Sequence, residues 1–228
     1  MNKIIDKRII DNFVAPECLQ KIEILRQDEH FLLINKPSGL LSLSGKNPLN
    51  KDSVHFRLVQ KFPTASMVHR LDFGTSGIML IALSKQANAN LSKQFQQRSV
   101  LKTYVSLVAG HMLDNSGQIN MPIAKDPLLF PRLKTCPQEG KQALSNYKVL
   151  ERLHKPESTR VQYYPQTGRT HQLRIHSQYI GHPILGCDLY GTAQSHQLAS
   201  RLMLHAEKLE FDHPISGERV MGECICPF

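Results

Sequence analysis

The stretch "SMVHRLDFGTSGIMLIAL", residues 66–83, decides how this chain is read. It places His69, Arg70 and Asp72 within four residues, follows them with a Gly/Thr/Ser turn, and enters an apolar run. By its length and β-branching, "GIMLIAL" reads as a buried strand, far too short to span a bilayer. Asp72 therefore stands beside Arg70 at the lip of a buried strand. The commoner fate of such an Asp is a turn residue accepting backbone N–H bonds. The alternative is an ionised nucleophile or base held at a strand end.

Outward from this stretch the pattern is of strands, often in hairpins, with three or four helices between them. "IEILRQDEHFLLINKPSG" (22–39) gives two short β-rich runs around a polar turn and closes on the turn Pro37-Ser38-Gly39. "DSVHFRLVQKF" (52–62) carries Val54, Leu58, Val59 and Phe62 at helical spacing, with Asp52 or Ser53 as N-cap. Ser84 caps a helix whose apolar stripe is Ala87, Leu91 and Phe95. "KTYVSLVAG" (102–110) and "GQINMPIA" (117–124) read as strands, and the Pro- and Lys/Arg-rich 125–140 as a surface loop. "QALSNYKVLERL" and "STRVQYYP" pair around "HKPE". "THQLRIHSQYIG" is a short helix with Gly181 as C-cap, and two final strands flank "DHPISG". Regular strand–helix alternation with a Gly-rich first turn is missing. The class is α+β, with a mixed, mostly antiparallel sheet flanked by helices and loops. Residues 1–21 read as an N-terminal extension, partly helical, and 22–228 as one domain.

The 28 Lys/Arg against 19 Asp/Glu leave a net charge of +9, which suggests a polyanionic partner. Cys18, Cys136, Cys187, Cys224 and Cys226 form no C-x-x-C pair. Free thiols in a reducing cytosol are the default. The N-terminus has no apolar core or cleavage site of a signal peptide, so a soluble, cytoplasmic protein is expected.

Other chemistries fit poorly. "HRLDFG" overlaps fragments of the kinase signatures, but those are separate elements there and the remaining ones are missing. A glycosidase would need a second carboxylate, and no second acidic motif stands out. His69 and Asp72, or His171 and His176, lack the companions of a metal site. "QTGRTHQLRIH" (166–176) places Gly168 and two hydroxyls before a helix start, where backbone N–H groups attract anions. Arg169 and Arg174 add planar positive charge. They either line a solvated basic face, or one of them leaves the surface to pair with Asp72. Tyr104 and Lys102 share one strand face, a weak sign of a wet or functional surface.

Together these stretches resemble the pseudouridine synthases of the RluA type, which isomerise uridine in structured RNA. "HRLDFGTSG" (69–77) is similar to the family's H-R-L-D-x-x-T-S-G. "INKPSGLLS", "KTYVSLVAG", "TGRTHQLRIH", "GHPILG" and "RLMLHAEKLEF" lie around it in the family's order. The resemblance covers about residues 22–228 and implies a pseudouridine synthase fold with a cleft across the sheet. It implies Asp72 as catalytic aspartate, Tyr104 as the residue stacking on the flipped base, and Arg174 as the partner of the aspartate. Arg70, His69 and Arg169 fall among the substrate-binding positions, with Arg70 entering the RNA. "KPSG" is implied to be structural support. No metal or other cofactor is implied, because the uracil leaves and rejoins the same ribose. The missing room for a preceding S4-type domain points to the short branch, with dual specificity for 23S rRNA and the tRNA anticodon stem-loop. A monomer is the simpler expectation. One departure stands out: the family often has G-D after "HPIL", and this chain has Gly186-Cys187-Asp188. Two other classes compete, a non-catalytic RNA-binding protein and a hydrolase using Asp72 as nucleophile.

Overall fold

A computed structural model describes residues 13–129 and 131–228. The expected N-terminal extension falls partly outside them. Residues 13–21 carry no helix or strand. They lie along the body of the protein: Ala15 N donates to Asn50 Oδ1 at 2.7 Å, Asn50 Nδ2 donates back to Phe13 O at 2.6 Å, and the Phe13 ring meets Phe73 edge-on.

The framework is one ten-stranded sheet. Its first hairpin is β1 (Glu23–Gln27) and β2 (Phe31–Lys36), antiparallel as the sequence predicts. Helix α1 (Val54–Val59) is capped by Ser53, whose hydroxyl accepts from Phe56 N, and ends before Phe62. The two-residue β3 (Ser66–Met67) pairs with β4 (Ser76–Ala82), which is buried along its whole length. Ser84 caps α2 (Lys85–Gln97), which buries Ala87 and Leu91. It also buries Gln94, whose amide exchanges hydrogen bonds with the backbone of Asp212.

Strand β5 (Leu101–Ala109) is followed by β6 (Ser116–Asn120) and β7 (Ile123–Lys125). The single strand expected at 117–124 is therefore broken at Met121-Pro122, where Pro supplies no ladder donor. The expected surface loop at 125–140 contains a further strand, β8 (Leu133–Thr135), pairing with β7 in a small separate sheet. Its length of three residues is below what periodicity resolves. The long hairpin β9 (Leu144–His154) and β10 (Glu157–Pro165) forms as expected. Helix α3 (Gln172–Tyr179) ends on Ile180, with Gly181 next at φ +82°, the left-handed position that favours glycine. A short helix α4 (Ala193–Gln197), unanticipated from sequence, carries a Thr192/Ser195 capping box. The chain finishes on β11 (Leu204–Asp212) and β12 (Arg219–Glu223).

The strand order is β1-β2-β4-β11-β5-β10-β9-β6, with β12 on β11 and β3 on β4. Among the described strands, only β4 and β11 pair in parallel. Gly77 sits in that contact at φ +114°, where a β-carbon would overlap the Ala206 carbonyl. Two hydrophobic cores result. One gathers Phe31, Ile34, Ile78, Leu80, Leu91 and Phe211, and the other Val108, Ile119, Val161, Tyr163, Ile184 and Leu204. Tyr104 packs against both, so its strand β5 lies on the seam between them.

Candidate active site

The turn after β2 builds one wall. The fully buried Lys36 donates from Nζ to Pro37 O, Leu40 O and Phe73 O at 2.9, 2.7 and 3.1 Å. Burial pushes its pKa down to about 7. Ser38 Oγ donates to Gly74 O at 2.7 Å, and Ser42 Oγ donates to Leu71 O and accepts from Leu71 N. The backbone on both sides of Asp72 is thus tied to the 36–42 turn. Thr75 and Ser76 follow the loop in sequence, but their hydroxyls are not its anchors. Instead Ser76 Oγ bonds His205 Nδ1 and Arg201, and the hydroxyls that hold the loop come from Ser38 and Ser42. Only the backbone of Thr75 contributes, through Thr75 N to Asp72 O.

His69 lies just ahead of the loop. Its Nε2 accepts from Leu80 N at 2.9 Å, and its ring stacks on Phe95. The imidazole thus continues along β4 the pairing that β3 begins. Burial, with Lys102 nearby, pushes its pKa down to about 3, so it is neutral. Arg70, next in sequence, is exposed and makes no hydrogen bond or ion pair among the described residues.

The opposite wall is the 167–174 segment. Gln172 fastens it: its Oε1 accepts from Thr167 Oγ1 and Arg169 N, and its Nε2 donates to Leu144 O and Ser145 Oγ. The Thr167 hydroxyl therefore points inward rather than toward an anion. His171 begins α3 in the left-handed conformation, with Nδ1 2.8 Å from Tyr190 Oη. Arg169 Nε donates to Gln142 O at 3.0 Å.

The walls meet at Asp72 and Arg174, whose Nη1 is 3.7 Å from Asp72 Oδ2. One arginine has indeed left the surface to face the aspartate, as one of the two sequence readings held. Burial would lower the pKa of Arg174, but the Cys187 thiol and the Asp72 and Asp188 carboxylates outweigh it and hold the guanidinium charged. Asp188, to which the sequence gave no role, takes Arg174 Nη2 at 2.5 Å. Nothing local flags it; only the return of the 181–190 segment brings it there. Tyr104 and Lys102 line the floor on one face of β5. Opposite Tyr104, β11 bulges between Ala206 and Lys208. Burial and the nearby Asp72 charge raise the Tyr104 pKa, which keeps the phenol protonated; burial, with Arg98, lowers that of Lys102.

Asp72, Tyr104, Arg174, Arg70 and Arg169 all line one cleft with about 520 Å³ of empty space. It opens into a groove of about 1870 Å³ that adds His69, Phe73 and Arg98. The shape, a small cleft opening into a longer groove, suits one ring in the cleft and a polymer along the groove. Among the described residues, no cluster of three or more His, Cys, Asp or Glu could hold a metal ion. No described helix is long and apolar enough to cross a membrane.

Residues 30–179 match the profile of the RNA pseudouridylate synthase family. The chain is 45% identical over 205 residues to the dual-specificity RNA pseudouridine synthase RluA of Yersinia pestis, covering 90% of this chain and 99% of that one. It is 43% identical over 205 residues to the RluA of Escherichia coli K12, covering 90% and 93%. The solved human RNA Pseudouridylate Synthase Domain Containing 1 superposes with a TM-score of 0.79 at 30% identity, covering 93% of this chain and 86% of that one. The chain therefore belongs to the RNA pseudouridine synthases, isomerases that convert uridine to pseudouridine in RNA.

Proposed function

We propose that this chain isomerises a uridine in an RNA loop, with Asp72 as the reacting group. The observation that supports this reading most is the convergence of Asp72, Arg174 and Tyr104 on one cleft, from stretches far apart in the chain. In the reaction the N1–C1′ bond breaks, the uracil turns, a C5–C1′ bond forms, the C5 proton leaves and N1 is protonated. The reaction needs no cofactor and no metal.

The target base first leaves its stack, at a cost of a few kcal/mol. Arg70, exposed and unpaired, fills the space it vacates and contacts phosphates or base faces. Tyr104 gives the base a ring to lie against. Its hydroxyl stays protonated at neutral pH, so it accepts the C5 proton only if its own proton moves on in the same step. Asp72 attacks C1′ or C6, or acts as a base. Each route uses the Asp72 carboxylate, which the Arg174 guanidinium faces at 3.7 Å. His69, locked to Leu80, holds the loop from behind, and Arg169 sits where it meets the RNA backbone.

The relatives are named for dual specificity. We extend this to the present chain, with 23S rRNA and the tRNA anticodon stem-loop as substrates, acting as a cytoplasmic monomer. The N-terminal segment 1–21 is an extension to the catalytic domain 22–228. The test uses tRNA and 23S fragments carrying tritium at uridine C5, incubated with purified protein and EDTA. Tritium release with pseudouridine at a loop position is expected. Binding without release would favour a non-catalytic RNA-binding protein, and release of free uracil a hydrolase.

A further inference from the structure

Arg174 has only 5% of its side chain exposed, so its charge needs a hydrogen-bonded counter-charge. Asp72 does not supply one. At 3.7 Å the pair is within electrostatic reach but beyond a hydrogen bond. Among the described residues, nothing donates to the Asp72 carboxylate. Asp188 supplies the bond instead: its Oδ1 accepts from Arg174 Nη2 at 2.5 Å and from Leu189 N at 2.8 Å. Arg174 Nε reaches Cys187 Sγ at 3.4 Å, and the Tyr190 ring covers the guanidinium face at 5.2 Å. The segment bearing Asp188 is itself fixed. Gly186 N donates to Ser195 O at 2.9 Å, and at φ +69° a β-carbon on Gly186 would overlap the Arg201 carbonyl.

We infer that Asp188 is a positioning residue for the isomerisation: it grips the far edge of the Arg174 guanidinium, so the near edge offers charge to Asp72 without occupying its oxygens. The inference rests on the reading of Asp72 as the reacting group. A guanidinium facing a single carboxylate tends to close into a two-pronged pair that engages both oxygens. Splitting Arg174 between two carboxylates prevents this. Asp72 keeps a nearby positive charge, and its lone pairs stay open to the substrate.

The test is Asp188→Asn, which keeps size and shape. The single-turnover rate should fall about 10- to 100-fold, the scale of a roughly 1 Å misplacement at a reacting group. RNA affinity and melting temperature should stay at wild-type values. Asp188→Glu should recover most of the lost rate. Because Asp188 acts through Arg174, the double variant Arg174→Lys/Asp188→Asn should be no slower than Arg174→Lys alone. A wild-type rate in Asp188→Asn overturns the inference. So do additive losses in the double variant, which would mean that Asp188 acts independently. A parallel fall in rate, RNA affinity and melting temperature would make Asp188 a fold support and also overturn it. If the wild-type protein itself forms no pseudouridine, the functional reading fails and takes this inference with it; normal wild-type turnover with an unimpaired Asp188→Asn sinks this inference alone.

Discussion

The two walls of the cleft hold their charged groups in different ways. On the Asp72 side the anchors are backbone carbonyls and amides met by Lys36, Ser38 and Ser42, so the loop is pinned at Leu71, Phe73 and Gly74 while the carboxylate is left alone. On the Arg174 side the anchors are other side chains: Asp188, Cys187, Tyr190 and, two residues earlier on the wall, Gln172. A backbone-pinned loop can lose its functional side chain and keep its shape. A side chain held by side chains is part of its own support. The difference predicts that activity and stability separate when the functional side chain of the first wall, Asp72, is changed, and move together when that of the second, Arg174, is changed.

The largest effect expected is for Asp72→Asn, which should lower turnover by roughly 10⁴-fold or more. Unfolding free energy and RNA affinity should hold, since no hydrogen bond to the carboxylate is lost. Normal product formation by the pure variant would remove Asp72 from the chemistry. Arg174→Met should reduce turnover by roughly 10²- to 10³-fold. It should also destabilise the fold, because the hydrogen bonds of Arg174 to Asp188 and Cys187 and its packing on the Tyr190 ring are lost together. Urea denaturation at unchanged midpoint would break the proposed contrast between the walls.

Lys36→Met strands three carbonyls and should cost roughly 2–4 kcal/mol of stability, with activity lost as the loop loosens. A variant with full stability would show that the carbonyls find other donors. Acid should act on both walls. His69 is neutral in the fold, with its pKa at about 3 against 6.5 for a free histidine, and burial also lowers those of His171, His176 and His205. Below about 6.5 the unfolded chain takes up protons that the fold refuses, so stability falls as pH falls. His69 alone should account for about 2 kcal/mol between pH 7 and pH 5. A flat urea midpoint over that range would mean that the ring is protonated in the fold. The smallest effect is expected from Arg70→Ala. The side chain is exposed and unpaired, so stability should change by less than about 0.5 kcal/mol. Single-turnover rate on folded RNA should fall about tenfold while overall affinity changes less, because flipping rather than docking is affected. Unchanged kinetics would count against a role in base extrusion.

The Asp72 wall was the more legible in sequence. Ser53 and Ser84 cap helices within three residues, so the caps, the Pro37-Ser38-Gly39 turn and the buried β4 could be read directly, whereas the ties from Lys36, Ser38 and Ser42 to the Asp72 loop, which span 29 to 37 residues, could not. The Arg174 wall depends on distant returns of the chain. Asp188 meets Arg174 only through the turn at Gly186, and Gln172 reaches β9 across 28 residues. No periodicity encodes such meetings. Strand β8 and helix α4 were missed because three and five residues are too few for a pattern. The family resemblance supplied the pairing of Asp72 with Arg174, which local reading left open. It did not supply Asp188, where this chain departs from the family's pattern.

The parallel contact of β4 with β11 also sets an order of events. Ser76 meets His205 across 129 residues, and Gly77 admits the strand only by lacking a side chain. Closing so long a loop is slow compared with forming the hairpins on either side. A ribosome-bound chain that has already displayed Asp72 thus carries an open half-site until β11 emerges and docks. Within the sheet, β4 meets β5 only through β11, so the two walls of the cleft belong to one sheet only with that strand in place.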